Sequence, residues 1–191
     1  QEIRYRGEAP FANVDYPSYV EQIAKMRELY GDAIQIRMGL EFGMQIHTVS
    51  QFQALFDRYP FDFILLSVHQ VDDLEFWNQD FQKGRTQKEY NERYYEEMLK
   101  LVNEYHDYSV LAHLDLIVRY DKMGVYPFSE VKPYVVEILK KVIEDKKGIE
   151  VNTSSVRYGL SDMTPSKEIL TLYRELGGDI LTIGSDSHAP K

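Results

Sequence analysis

Phe63-Ile64-Leu65-Leu66-Ser67-Val68-His69 is a short apolar run, two-sided in pattern, that ends abruptly in a histidine. Pro60 blocks any helix reaching it from upstream, and a polar stretch begins at Gln70, so the run reads as a buried strand. The pattern returns at Ser109-Val110-Leu111-Ala112, followed at once by His113 and Asp115. It returns again at Asp179-Ile180-Leu181-Thr182-Ile183-Gly184, which runs into Ser185-Asp186-Ser187-His188. Two further strands are predicted, Ala33 to Leu40 ending at Glu41, and Gly148 to Val151 ending at Asn152.

Helical patterns fill the intervals. Asp15 and Pro17 open a helix predicted over 16–30, with Val20, Ile23, Ala24 and Met26 to Leu29 on its apolar face and Gly31 as its stop. Val49, Phe52, Leu55 and Phe56 have helical spacing. Thr86 and Glu89 form a capping box for a long helix whose buried stripe is Tyr90, Tyr94, Met98, Leu101, Val102 and Tyr105. Ser129 is the expected cap of the next helix and Gly148 its stop, and Thr164-Pro165 opens the last one, which Gly177-Gly178 ends.

Five strands alternating with helices imply an α/β fold with a parallel sheet, either a closed barrel or an open doubly wound sheet. A barrel gathers functional groups at the C-terminal ends of several strands, whereas an open sheet concentrates them at one switch point. Glu41, His69, His113 and the Asp186/His188 pair stand at the ends of four different strands, and no glycine-rich phosphate loop follows the first. The barrel is therefore expected, as one domain over 1–191.

With 31 acidic against 22 basic residues the chain carries a net charge of -9, which disfavours nucleic acid and anionic membranes as partners. No apolar run is long enough to span a bilayer, and a cytoplasmic location is expected. Cysteine is absent, so a metal would have to be held by His, Asp and Glu. Three of the five histidines directly follow strands, which points to convergence on a Zn, Mn or Fe site with mixed nitrogen and oxygen ligands. The bland alternative for each histidine alone is a satisfied structural role. His47 and His106 are read that way, and Asp72, Asp73 and Glu75 as a solvated loop edge. Arg119 and Arg157 also follow strand ends, where a guanidinium can grip two phosphoryl oxygens; the alternative is pairing with a carboxylate such as Asp115 or Asp121.

The strings Gly39-Leu40-Glu41, Ser67-Val68-His69, Ala112-His113-Leu114-Asp115, Glu150-Val151-Asn152-Thr153-Ser154 and Gly184-Ser185-Asp186-Ser187-His188 resemble, in order and spacing, the motifs of the PHP (polymerase and histidinol phosphatase) superfamily. Within it they look most like the histidinol-phosphatases. The resemblance implies a distorted (β/α)7 TIM-like barrel holding two or three divalent ions. It implies that Glu41 bridges two metals, that His69 and His113 complete one site, that Asp186 binds another ion and His188 a third, and that Arg119 and Arg157 hold the substrate phosphate. Asp186 and His188 would also serve the chemistry, hydrolysis of histidinol phosphate. The alternatives are another phosphoesterase of the superfamily acting on a nucleotide or small phosphomonoester, and a non-catalytic barrel fragment. The family's His-x-His pair on the first strand, a histidine after the second, and the helix and strand after the last motif have no counterpart here. The chain, which starts at Gln1, is therefore expected to be a truncated, incomplete barrel with an open edge able to associate with a partner.

Overall fold

The computed structural model describes residues 1–2 and 14–188. Its main sheet has five strands, β1 (Gly39–Gly43), β2 (Phe63–Ser67), β5 (Val110–Leu111), β6 (Gly148–Asn152) and β7 (Leu181–Gly184), in the order β1-β2-β5-β6-β7. Every pairing is parallel. Each main-sheet strand lies beside its predecessor in the chain, so the sheet winds as a barrel does and has no switch point. A small antiparallel pair, β3 (Gln70–Val71) with β4 (Leu74–Glu75), rises from the polar stretch after β2, where no strand is expected from the pattern.

Among the described residues six α-helices accompany the sheet: α1 (Tyr16–Tyr30), α2 (Val49–Arg58), α3 (Gln87–Glu104), α4 (Phe128–Glu144), the single turn α5 (Ser154–Arg157) and α6 (Lys167–Glu175). The capping box of α3 forms as expected, with Thr86 and Glu89 each satisfying the other's backbone N–H. Its stripe is buried, and with Val131, Val135, Ile138, Leu139 and Val142 of α4 and the strand interiors it makes one continuous core. Full burial of each such aliphatic side chain contributes on the order of 1.5–3 kcal/mol. By contrast α1, despite its apolar pattern, contains no fully buried residue among those described.

Several boundaries differ from the sequence expectation for identifiable reasons. Residues 33–38 are not strand, because polar side chains claim their backbone groups: Arg27 Nε donates to Ile36 O at 2.9 Å and Met38 N donates to Asp62 Oδ2 at 2.7 Å. Glu41 therefore sits inside β1 rather than beyond its end. The cap of α4 is Pro127, not Ser129, since Pro127 O already accepts from Glu130 N. The helix stops without help from Gly148: Lys146 adopts φ 56° and Lys147 N returns to Val142 O. Gly148 instead lets β6 approach Ile180, whose side chain and carbonyl occupy the place of a β-carbon. For α6 the cap is Ser166, which accepts from Ile169 N, while Thr164 O is engaged by Asn152 N.

At one side of the sheet Glu2 forms a parallel bridge to Gly43. At the other, β7 is the last strand among the described residues, and Leu181 and Ile183 are 48% and 77% exposed. No helix of the described residues is long and apolar enough to cross a membrane.

Candidate metal centre

Three side chains, Glu41 inside β1 and the histidines that follow β2 and β5, meet toward the C-terminal edge of the sheet. His113 Nε2 lies 2.9 Å and His69 Nε2 3.2 Å from the same oxygen, Glu41 Oε1, and the two imidazole nitrogens are 3.4 Å apart. Parallel pairing brings the two histidines together, for Leu66 is in register with Leu111 and the residues leaving β2 and β5 arrive at one level, while Glu41, in register with Leu65 inside β1, meets them from the neighbouring strand.

The three donor atoms fit a metal ion. Ligand bonds of 2.0–2.1 Å in tetrahedral array put neighbouring donors about 3.3 Å apart, and the observed edges of 2.9, 3.2 and 3.4 Å bracket that spacing. Two histidines and a carboxylate without cysteine also form the mixed set that suits Zn, Mn or Fe. The cluster attracts positive charge. Burial pushes the Glu41 carboxyl up, but hydrogen bonds from His113 and His69 outweigh it and hold the group well below the usual carboxylate range. Burial pushes His69 down, yet its bonds to Glu2 and Glu41 raise it to about 10.

The backbone is bent to deliver these groups. His113 has φ 26° and Asp186 φ 51°, conformations that cost about 1–3 kcal/mol each in non-glycine residues and collect at functional sites. Glu150, buried in β6, steadies the first bend by accepting from His113 N at 3.2 Å. Asp115, two residues on, turns away from the cluster; Oδ2 accepts from Ser166 N at 2.8 Å. Burial drives its carboxyl up to about 7, with the Ser166 N–H acting in the other direction.

A cavity of about 180 Å³ opens beside the cluster, lined by Glu2, Glu41, His69, Arg119, Asp186 and His188, with Trp77, Tyr120 and Tyr158 among its aromatic walls. Asp186 and His188 thus reach the same cavity, 3.3 Å from one another, but lie outside the three-residue cluster. Arg119 neither pairs with Asp115 nor with Asp121. Its Nη1 donates to Asp186 Oδ2 at 3.0 Å, Nη2 donates to Ser154 Oγ, and the guanidinium lies 4.2 Å from the Tyr158 ring centre. Arg157 donates to the carbonyls of Ser185 and Asp186 at 3.3 and 2.8 Å, and so grips the loop that carries Asp186 rather than lining the cavity.

The remaining titratable groups follow the bland reading. His47 meets Asp73 at 3.0 Å, His106 meets Asp145 at 2.9 Å, and Asp72 pairs with Arg93. Trp77 and Tyr120 lie in the stretches after β2 and from Tyr120 to Phe128 that sequence reasoning expects to shape the leaving-group pocket, whereas it missed Glu2 and Tyr158. Neither of these lies in a recognisable motif, and a separation of 67 positions between Glu2 and His69 gives no local signal of their contact.

Known proteins share this architecture. The chain is 29% identical over 185 residues to the histidinol-phosphatase of Lactococcus lactis, covering 94% of this chain and 67% of the relative. It is 30% identical over 179 residues to a probable histidinol-phosphatase of Clostridium acetobutylicum, covering 91% and 67%. The chain thus spans about two thirds of the length of these curated relatives. A crystal structure of the Lactococcus lactis histidinol phosphate phosphatase, complexed with Zn, L-histidinol and phosphate, superposes with a TM-score of 0.81 at 29% identity, covering 92% of this chain and 68% of that one. A second, from Listeria monocytogenes, described as a histidinol phosphatase by inference, shares the fold with a TM-score of 0.74 at 21% identity. The family model of the PHP domain matches residues 8–154, and on that match the chain belongs to the PHP domain family.

Proposed function

We propose that this chain is the metal-bearing core of a histidinol-phosphatase, which hydrolyses L-histidinol phosphate to L-histidinol and inorganic phosphate. The observation that carries the reading is the convergence of Glu41, His69 and His113 on one point of a cavity that Arg119 also lines. The Lactococcus lactis relative, bound to Zn, L-histidinol and phosphate, supports the same substrate and metal here.

Glu41, His69 and His113 would hold the first ion. Glu41 Oε1 serves both histidines, while its other oxygen makes no hydrogen bond among the described residues, which suits a carboxylate that bridges to a second ion. Asp186 and His188 would contribute to further sites, two or three ions in all, of Zn, Mn or Fe. Such ions supply Lewis acidity and lower the pKa of water toward neutrality.

The protein's own groups do the rest. Arg119 is fixed by Asp186, Ser154 and Tyr158, so its planar fork needs little reorganisation to neutralise charge on phosphoryl oxygens. Arg157 holds the loop carrying Asp186 and adds positive charge near the phosphate. His188, 3.3 Å from Asp186, would hand a proton to the leaving oxygen where it binds no ion, the alternative donor being water. Trp77 lines the cavity beside Tyr120 and Tyr158 and would meet a cationic imidazole-amine leaving group, and the acidic excess of the chain favours the same charge.

The deciding experiment is metal analysis of the purified protein beside phosphate release from a panel of esters with Zn or Mn added. Bound metal and preference for histidinol phosphate are expected. Preference for a nucleotide would replace the substrate, and absence of both metal and turnover would defeat the reading.

A further inference from the structure

His69 and His113 are supported unequally. His113 Nδ1 is buried with no hydrogen-bond partner. His69 Nδ1, in contrast, lies 2.8 Å from Glu2 Oε1 on the side of the ring opposite the cluster. Glu2 is not placed there by a loose tail. Gln1 N donates to Glu41 O at 2.7 Å and Gly43 N donates to Gln1 O at 2.9 Å, two backbone bonds that bridge Glu2 to Gly43 in parallel register. Residue 2 therefore projects from the same face as Glu41, two positions before Gly43.

Gly43 makes the room. A β-carbon there would lie 2.7 Å from Glu2 Cγ and 2.9 Å from His69 Nδ1, closer than side chains tolerate. The glycine thus forms a cradle for this hydrogen-bonded pair on the edge of the sheet.

We infer that Glu2 is the positioning carboxylate of His69. It accepts the Nδ1 proton and so holds the ring with Nε2 toward Glu41 and His113, the orientation a metal requires. Partners of this kind orient imidazole ligands and raise their basicity, and their loss typically weakens metal binding about 10–100-fold. The inference rests on the metal reading above for its role, although the hydrogen bond between His69 Nδ1 and Glu2 itself does not depend on a bound ion.

The test uses three variants, Glu2→Ala, Glu2→Gln and Gly43→Ala, with two readouts: Zn2+ affinity by competition with a chromophoric chelator, and the solvent-exchange rate of the His69 Nδ1 proton in the metal-free protein, followed by 15N-resolved NMR. Glu2→Ala should weaken Zn2+ binding about 10–100-fold and speed exchange of the Nδ1 proton, and Gly43→Ala should shift both in the same direction. Glu2→Gln, whose amide oxygen still accepts but carries no charge, should fall between wild type and Glu2→Ala in both. Unchanged Zn2+ affinity and exchange in Glu2→Ala would overturn the inference. Should Glu2→Ala fail to fold, Glu2→Gln decides, and wild-type values in both readouts would overturn the assignment. Wild-type protein that binds no Zn2+ would defeat the metal reading instead, and the exchange of the Nδ1 proton would still decide the place of Glu2.

Discussion

His69 and His113 present their Nε2 atoms to each other across 3.4 Å, with Glu41 Oε1 within 3.2 Å of both. Two imidazole nitrogens and one carboxylate oxygen at these spacings share either a proton or a cation. Replacing Glu41 by Gln keeps the volume and removes the charge. The expected outcome is loss of Zn2+ affinity by more than about 100-fold, beyond what an outer partner alone costs, with the circular dichroism spectrum retained. Wild-type metal content in the purified variant would remove Glu41 from the ligand set.

Arg119 is nearly buried, at 5% exposure of its side chain, and its ion pair with Asp186 faces the cavity. Arg119→Ala should lower turnover on the phosphate ester roughly 10²–10³-fold, the range for loss of one preorganised donor to a developing oxyanion. It should also loosen the loop 185–188. Arg157→Ala should lower turnover while metal at Glu41, His69 and His113 stays intact, since its bonds are to the carbonyls of Ser185 and Asp186. Steady-state kinetics with metal analysis separates the two, and metal loss in Arg157→Ala would mark it as structural.

Trp77 lines the cavity while 59% exposed, so much of its indole is open to a ligand. Trp77→Ala should raise KM for histidinol phosphate about 3–30-fold, corresponding to a cation–π contact of 0.5–2 kcal/mol, with kcat nearly unchanged. A small phosphate ester lacking the cationic ring should show no such change. Equal effects on both esters would remove Trp77 from leaving-group recognition.

Asp115 supplies the pH dependence. Its carboxyl is raised by burial to about 7 in the folded chain against an unfolded value near 3.8. The protonated form is favoured on folding, so its contribution is full below pH 4 and is lost as pH rises through 7. The total is about 4 kcal/mol, at about 1.4 kcal/mol per unit. Asp115→Asn retains an oxygen for Ser166 N and cannot ionise. Denaturant titrations at pH 4 to 8 should therefore show the variant gaining stability over wild type as pH rises, and a constant difference would contradict the burial argument.

Much of this was legible beforehand because it is written locally. The capping box at Thr86 and Glu89, the two-sided run at Phe63 and the stripe on α3 depend on neighbours within a few residues. What misled was competition from distant polar groups: Asp62 takes the Met38 N–H, and Lys146 rather than Gly148 makes the left-handed turn after α4. Sequence pattern carries no information on which remote side chain will claim a backbone group.

The same division holds for the site. The sequence by itself determined that His69, His113 and the Asp186/His188 pair follow parallel strands, because a strand's end and the residues just after it are local properties. Only the tertiary structure decided that Glu41, His69 and His113 reach one another while Asp115 turns toward Ser166, that Arg119 faces Asp186, and that Glu2 stands behind His69. Those outcomes follow from strand register and from the bends at His113 and Asp186, where a shift of one residue would reverse the face each side chain occupies.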